Sequence, residues 1–291
     1  METLKAKSVA ALGLFDGVHL GHARVLSCAA EYKSCGFRPL CFTFDTTSLQ
    51  IKQGRKIEYI YSDEQKCRYI REFGIENIIS VDFKKISKLE PRDFVSEILK
   101  NQLNCHAVVC GEDFRFGRNA CADINDLKSI CDDFDIKVII VPDESINGTK
   151  ISSAAIRQAL NNGDIATANM LLGREFSISG KVFCDRRNGT QMGTPTVNLK
   201  PIAPMRKGVY ASKVVVDDEI FKGITNIGVR PTVLENSEIV AETHIFDFNR
   251  NLYGNKIEII PYKFIRDEKR FDSVDELKAQ ISRDIETLRL F

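Results

Sequence analysis

The segment that decides the fold of the first half is ALGLFDGVHLGH, Ala11–His22. A short apolar run leads into a turn that holds Gly17, Gly21 and two of the four histidines of the chain. A strand followed by a helix that opens at Gly21 would expose free backbone N–H groups to an anion. His19 and His22 lie one helical turn apart, and the glycines let a nucleotide approach the backbone. The segment therefore predicts a phosphate site, and the alternative is two histidines that cap a turn.

Further apolar runs follow this segment at intervals, and stretches with helical spacing separate them. They are RPLCFTF, ENIISVDF, HAVVCGEDF and KVIIVPD. This rhythm is typical of a parallel sheet with crossover helices. We predict helices over 21–33, 62–73 and 91–103, the last with proline in its first turn.

The pattern changes near Glu175, where short strands joined by turn residues begin. The strand candidates are SISGKVF, GVYASKVVV, IFKGITNIG, AETHIFDF and NKIEIIPYKFI, with DDE as a hairpin turn. They predict a small antiparallel barrel, and a C-terminal helix follows behind Ser273. The apolar face of that helix comprises Val274, Leu277, Ile281, Ile285 and Leu288. We place the domain boundary at 174/175, giving domains 1–174 and 175–291.

The composition excludes several classes of protein. The chain has 291 residues, 43% of them hydrophobic, and a balance of 41 basic to 40 acidic side chains. The length predicts two globular domains. The balanced charge predicts that the protein has no nucleic-acid partner. The nine cysteines lack the close spacing of a zinc or redox pair and are expected to be reduced. The N-terminal apolar run is too short for a signal peptide and no segment has membrane-spanning length, so we expect a cytoplasmic protein without a membrane partner.

Three motifs in the first half resemble those of a known family. GLFDGVHLGH resembles the signature of the HxGH nucleotidyltransferases, specifically the FAD synthetase module of bacterial bifunctional riboflavin kinase/FMN adenylyltransferases. CGEDFRFG is similar to the flavin-side motif of that family, and ISSAAIR to its second phosphate motif. The resemblance implies catalytic roles for His19, His22 and Arg157. It implies nucleotide binding by Gly13, Phe15, Asp16, Gly17, Gly21, Ser152 and Ser153. It implies flavin binding by Asp113, Phe114, Arg115 and Phe116.

Two of these motifs also have plainer interpretations. In ISSAAIR, either Ser152 or Ser153 can cap a helix, and Arg157 lies on the same face one turn beyond Ser153. That pattern suits a triphosphate clamp, but it is also found in ordinary capped surface helices. EDFRFG, taken alone, is equally typical of a turn with two core phenylalanines.

The second half is similar to the riboflavin kinase part of the same family. GTPTVN resembles its PTAN motif, which implies nucleotide binding by Gly193 and Pro195 and magnesium binding by Thr196 and Asn198. Neutral oxygens suit an ATP-bound Mg²⁺ that keeps several waters, although Thr and Asn are also common in plain turns. AETHIFDF resembles the strand of the general base, which implies Glu242, and the alternative is an exposed strand glutamate without a role. IRDEKRF matches the family pattern as well and implies flavin binding by Arg266.

Three single positions and one segment depart from the family pattern. Ala154 stands where threonine is usual, Thr190 where arginine is usual and Val197 where alanine is usual. In the segment TFDTTS, 43–48, the family commonly has a Pro-His-Pro sequence after the phenylalanine, and this chain does not.

The resemblance implies an α/β nucleotidyltransferase domain with a Rossmann-like parallel sheet, followed by the barrel and its C-terminal helix. The implied reactions are ATP-dependent phosphorylation of riboflavin to FMN and adenylylation of FMN to FAD, with Mg²⁺ as cofactor and ATP as co-substrate. The expected partners are therefore riboflavin, FMN, FAD and ATP. Three alternatives stay open here: one retained activity only, a flavin-binding or flavin-sensing protein without turnover, and a nucleotidyltransferase for another acceptor. The sequence makes no prediction of oligomeric state.

Overall fold

The computed structural model describes residues 6–49, 51–52, 55–183, 196–230 and 238–269, with positions 276, 280, 283 and 284. The chain divides into two compact units, Met1–Ala155 and Ile156–Phe291.

The first unit is built on a five-stranded parallel sheet. Its strands are β1 (Ser8–Leu12), β2 (Arg38–Phe44), β3 (Asn77–Val81), β4 (Cys105–Gly111) and β5 (Lys137–Val141). The strands lie in the order β3-β2-β1-β4-β5, and all neighbours are parallel. Every residue of β1 is buried, as expected for the central strand of a sheet covered on both faces.

Helices connect these strands. The helices of the chain are α1 (Leu20–Glu31), α2 (Asp63–Arg71), α3 (Phe83–Ile86), α4 (Pro91–Asp93), α5 (Ile124–Asp132), α6 (Ser153–Asn162) and α7 (Ile165–Leu172). A π-helical segment, Phe94–Gln102, continues α4, and 3₁₀ turns cover Tyr32–Cys35 and Arg118–Ala120. Two short antiparallel pairs are Ile51–Lys52 with Arg55–Lys56 and Ser145–Ile146 with Thr149–Lys150. Helix α6 runs across the division between the two units and α7 belongs to the second.

The second unit is a six-stranded antiparallel sheet that curls into a barrel. Its strands are β6 (Ile178–Lys181), β7 (Thr196–Leu199), β8 (Gly208–Val216), β9 (Glu219–Arg230), β10 (Glu238–Ile245) and β11 (Lys256–Arg266). They lie in the order β6-β11-β8-β9-β10-β7. The two ends meet where Phe183 N–H donates to the Asn198 carbonyl at 3.2 Å. This bridge brings the two edge strands together, so that the sheet is nearly closed.

The structure confirms the predicted architecture, a parallel sheet followed by an antiparallel barrel. The DDE turn is also confirmed, because Asp217 and Asp218 adopt the positive φ angles of 49° and 66° that a two-residue hairpin turn requires. The predicted helix over 91–103 widens after its first turn, so that Leu103 N–H donates to the Ile98 carbonyl five residues earlier, at 2.9 Å. The described positions 276, 280, 283 and 284 are helical, whereas Ser273 and the predicted apolar face lie outside the described residues.

Four of the eight cysteines among the described residues behave as small hydrophobic residues. Cys41, Cys105, Cys110 and Cys131 are buried, and burial raises the pKa of each thiol, to about 12 for the last three. Such thiols are poor nucleophiles at neutral pH. These four cysteines are therefore part of the packing of the first unit.

Candidate functional site

The predicted phosphate turn lies at the carboxyl end of β1. In the sheet order, β2 and β3 lie on one side of β1 and β4 and β5 lie on the other, so the direction of the strand order switches at β1. Parallel sheets bind ligands in the crevice outside the carboxyl ends of the strands at this switch point. The turn that follows β1 and leads into α1 is therefore at the expected place for a nucleotide.

The turn is held in an unusual backbone conformation. Gly17 has a φ angle of 83°, and the non-glycine residues Phe15 and Val18 also have positive φ angles, 52° and 41°. A positive φ costs an L-residue roughly 1–2 kcal/mol, more for a β-branched one. Phe15 and Val18 are 1% and 0% exposed, so packing holds the strain in place. Strain of this kind is typical of functional turns.

The two histidines of the turn form a stacked pair. Their ring centroids lie 3.6 Å apart with planes 16° from parallel, and the Phe15 ring meets His22 edge-on at 5.2 Å. His19 caps α1, because its Nδ1 accepts the His22 backbone N–H at 3.3 Å. A Cβ at Gly21 would lie 3.3 Å from the His19 ring, which is tighter than most such contacts. Glycine at this position therefore leaves room for the capping imidazole.

Asp16 joins three segments of the first unit. Its side chain is 2% exposed, and Oδ1 accepts the Ile60 backbone N–H at 2.9 Å. Its carbonyl accepts a hydrogen bond from the Ser153 hydroxyl at 2.8 Å. The turn after β1 is thereby tied to the segment before α2 and to the start of α6. The sequence predicted a nucleotide contact for Asp16, and the contacts described add a positioning role.

Replacement of Asp16 by alanine should destabilise the first unit by about 1–3 kcal/mol, because a buried Ile60 N–H loses its acceptor. Asp16→Asn keeps an oxygen in the same place and should cost less. Urea unfolding of both variants, followed by far-UV circular dichroism, measures the difference. Equal stability of the alanine variant and the native protein would contradict this role.

The two serines of ISSAAIR have different roles. Ser152 caps α6, because its hydroxyl accepts the Ala155 N–H at 3.2 Å, whereas Ser153 donates to Asp16. Ala154, the position of the absent threonine, is exposed. Arg157 lies one turn beyond Ser153 on α6 and is half-buried.

The segment that replaces the Pro-His-Pro sequence forms its own hydrogen-bonded turn. Asp45 Oδ1 accepts from the Thr47 hydroxyl at 2.7 Å and from the Ser48 N–H at 2.6 Å. Burial alone would raise the pKa of Asp45, but these hydrogen bonds outweigh it and lower that pKa. The Thr46 N–H and hydroxyl both donate to Asp63 Oδ2, at 3.0 and 2.9 Å. Side-chain hydrogen bonds thus hold this turn in place, in the absence of the two prolines of the Pro-His-Pro sequence.

The predicted flavin-side motif is partly core and partly surface. Phe116 is 6% exposed; its ring stacks on that of Phe114 at 5.9 Å between centroids and contacts the tilted ring of Phe94 at 5.6 Å. Asp113 and Arg115 are exposed, and Arg115 Nε donates to the Ala120 carbonyl at 3.2 Å. Phe116 therefore belongs to the core, and the exposed residues are the ones available to a ligand.

An open cleft, which was not predicted from the sequence, adjoins the phosphate turn. It has a volume of about 390 Å³. Its lining includes the apolar residues Leu20, Ala23, Ile146 and Ile151, the last directly before Ser152. Arg24 and Glu144 also line it and pair with each other. The cleft lies beside both phosphate motifs and has the apolar lining that suits a planar base.

In the second unit, the pairing of β7 with β10 brings the predicted kinase residues together. Asn198 lies opposite Glu242 and Thr196 lies opposite His244. The Thr196 hydroxyl donates to Glu242 Oε1 at 3.1 Å. Asn198 is 4% exposed and Glu242 is half-buried. Three side chains predicted from two separate motifs therefore lie together on one part of the sheet.

The remaining kinase predictions fall on other parts of the unit. Arg266 forms an ion pair with Asp284, in which Nη2 lies 2.7 Å from Oδ2. Val197 is 8% exposed, so the larger side chain at this position is accommodated within the barrel. Gly193, Pro195 and Thr190 lie outside the described residues.

The described residues include no group of three or more His, Cys, Asp or Glu side chains that could hold a metal ion. The oxygens of Thr196 and Asn198 suit a cation of a different kind, one that is held mainly by water and phosphate.

The fold and the two clusters define the class of the protein: a nucleotide-dependent transferase with an α/β nucleotidyltransferase unit followed by an antiparallel barrel. Comparison with known families agrees with this division. The FAD synthetase family model matches residues 1–155 and the riboflavin kinase family model matches residues 172–291.

The chain belongs to the bifunctional riboflavin kinase/FMN adenylyltransferase family. It is 36% identical to the member from Buchnera aphidicola subsp. Schizaphis graminum, covering 100% of this chain and 96% of the relative. It is 36% identical to the Bacillus subtilis member, with coverage of 99% and 93%, and 34% identical to the Escherichia coli K12 member, with coverage of 97% and 92%. The prediction of two activities, riboflavin phosphorylation and FMN adenylylation, is confirmed.

A solved structure with a different description has the same fold. The crystal structure of a protein described as a macrolide-efflux protein from Streptococcus pneumoniae matches with a TM-score of 0.84 and 30% identity, and covers 100% of this chain and 96% of that one. Among the residues that the structure describes, no helix is long and apolar enough to cross a membrane.

Proposed function

We propose that each reaction has its own set of residues, with FMN adenylylation in domain 1–174 and riboflavin phosphorylation in domain 175–291. The observation that carries this proposal is the hydrogen bond between Thr196 and Glu242, which joins the predicted metal-binding and general-base motifs at one place on the barrel. The stacked His19 and His22 at the switch point of the sheet support the other site.

In the kinase reaction, Glu242 accepts the proton of the ribityl 5′-hydroxyl as that oxygen attacks the γ-phosphorus of ATP. Its carboxylate is half-buried, and the Thr196 hydroxyl holds one of its oxygens. The O–P bond to ADP breaks as the new O–P bond forms, so no covalent enzyme intermediate is required.

Thr196 and Asn198 are the proposed residues for Mg²⁺. Magnesium, when bound, neutralises charge on the ATP phosphates. The donor set fits this cation, because a hydroxyl and an amide oxygen are hard neutral ligands that leave room for waters and phosphate oxygens. Gly193 and Pro195 are proposed to contact the nucleotide at the same place.

In the adenylyl reaction, a phosphate oxygen of FMN attacks the α-phosphorus of ATP and pyrophosphate leaves. His19, His22, Ser152, Ser153 and Arg157 are proposed to stabilise the charge spread over the phosphates. Gly13, Phe15, Asp16, Gly17 and Gly21 shape the turn that receives them. We place the adenine in the adjoining cleft between α1 and Ile151, because its apolar lining suits a planar base.

The flavin is proposed to contact the motif that comprises Asp113, Phe114, Arg115 and Phe116 in the adenylyl site, and Arg266 in the kinase site. Phe114 is half-buried and stacked, which gives a flat ring a surface to lie on. Arg266 is held by Asp284, so its guanidinium has a fixed position. We also propose a cytoplasmic location, consistent with the buried cysteines that serve as packing residues.

Substitution of Thr196 tests the proposed metal-binding residues. Thr196→Val removes a neutral oxygen and should raise the Mg²⁺ concentration for half-maximal riboflavin phosphorylation by about tenfold or more. Thr196→Ser keeps the hydroxyl and is the matched control. The Mg²⁺ dependence of FAD formation from FMN should be the same in all three proteins. An unchanged Mg²⁺ requirement for the kinase reaction of the valine variant would refute the assignment.

A further inference from the structure

His244 lies in the kinase cluster without an assigned role. It follows Glu242 by two residues on β10, and alternation along a strand puts both side chains on the same face of the barrel. In the register of the sheet, His244 lies opposite Thr196 on one side and opposite Ile224 on the other. The imidazole is therefore a direct neighbour of the proposed base and its hydrogen-bond partner.

The surroundings of His244 change from polar to apolar along the strand. Its ring centroid lies 5.6 Å from that of Phe246, with planes at 59°. Phe246 packs in turn against a buried cluster that contains Val209, Ala211 and Ile224. His244 thus lies between a polar end, at Glu242, and an apolar end, at Phe246.

The Nδ1 atom of His244 is buried and has no hydrogen-bond partner among the residues described. A buried polar atom without a partner is costly, and native proteins rarely retain one without a reason. The neighbouring polar residue of the same strand, Thr243, does have a hydrogen-bond partner. Its hydroxyl, on the opposite face of the sheet, lies 2.9 Å from that of Thr225. The unsatisfied atom is therefore on the face that carries the kinase cluster.

We infer that His244 Nδ1 binds a hydroxyl of the ribityl chain of riboflavin. The inference rests on the proposed role of Glu242, because the terminal 5′-hydroxyl must lie at that carboxylate for phosphorylation. Riboflavin has a polyhydroxylated chain at one end and a planar ring at the other, which matches the polar-to-apolar sequence along β10. Side chains two apart on a strand are separated by roughly 7 Å, so the imidazole lies beside the middle of the chain. A hydroxyl both donates and accepts, and so pairs with Nδ1 in either tautomer.

Two substitutions separate the polar atom from the shape of the ring. His244→Phe keeps a planar side chain and removes the nitrogen, whereas His244→Asn keeps an amide group near the position of Nδ1. The experiment measures phosphorylation of riboflavin and of a flavin analogue whose side chain is 5-hydroxypentyl, which has the terminal hydroxyl only. We expect the native enzyme to phosphorylate riboflavin in preference to the analogue. In His244→Phe the ratio of the two rates should fall by roughly tenfold or more, the factor expected when a buried polar group loses its partner. His244→Asn should retain a substantial part of the preference, and the KM for ATP should stay unchanged.

Two results would overturn the inference. One is an unchanged preference of His244→Phe for riboflavin over the analogue. The other is a change in the KM for ATP without a change in the KM for riboflavin, which would place the nucleotide at His244. If His244→Phe does not fold, as judged by its thermal transition, His244→Gln replaces it, because its amide group reaches the position of Nε2 and not that of Nδ1. The Glu242→Gln variant separates this inference from the proposed function: full phosphorylation by that variant would refute the base assignment, whereas the ratio of the two flavins reports on His244 alone.

Discussion

Glu242→Gln should lower the rate of riboflavin phosphorylation by about 10²–10⁴-fold, the contribution expected of a positioned general base. Glutamine has the same shape, and its Oε1 can still accept the hydrogen bond from Thr196. What it loses is the basicity needed to take the proton of the 5′-hydroxyl. The loss should therefore appear mainly in kcat, with little change in the KM for either substrate.

The same preparation supplies the internal control for this variant. FAD formation from added FMN should be unchanged, because that reaction is assigned to the other unit. Glu219→Gln is a matched control on the same barrel: its side chain is 63% exposed and pairs with Arg250, away from the kinase cluster. Chromatographic separation of riboflavin, FMN and FAD over time gives both rates. Loss of both activities in Glu242→Gln would contradict the assignment of the reactions to separate sites.

The elements predicted best from the sequence are those with a strong local pattern. The five strands of the parallel sheet are short apolar runs between helical stretches, and the hairpin at Asp217 and Asp218 has residue types that tolerate a positive φ. Helix α5 was not predicted, although its signal is present in the sequence. Asp123 and Asp126 form a capping box, and Leu127 and Cys131 lie one turn apart on its buried face.

The contacts that assemble the sites could not be predicted from local sequence patterns. Asp16 and Ser153 are 137 residues apart in the chain, and the partner of each is a backbone group that leaves no mark in the sequence. For the same reason the sequence could not decide which of Ser152 and Ser153 caps α6. Thr196 and Glu242 were each predicted from a separate motif, but their contact depends on the register between β7 and β10. Motifs thus identified the residue types, and the topology of the sheets determines which of them meet.

His22→Ala should lower FAD formation from FMN by about 10²–10³-fold, the usual effect of removing one group that stabilises transition-state charge. His22 is a better test than His19, because Nδ1 of His19 also caps α1. Replacing His19 would therefore combine loss of the cap with loss of an imidazole. Replacing His22 leaves the capped backbone N–H in place, so the helix keeps its start and the change is confined to the side chain.

A second histidine of the first unit provides the matched control. His106 stacks on Phe37, with centroids 4.3 Å apart, near the amino end of β4. The phosphate turn lies at the opposite, carboxyl edge of the same sheet. His106→Ala should therefore leave FAD formation within about twofold of the native rate, since only surface packing changes. Both variants should phosphorylate riboflavin at the native rate. Equal losses of FAD formation in the two variants would mean that removal of either histidine disturbs the unit as a whole, whereas a loss confined to His22→Ala would place the chemistry at the switch point of the sheet.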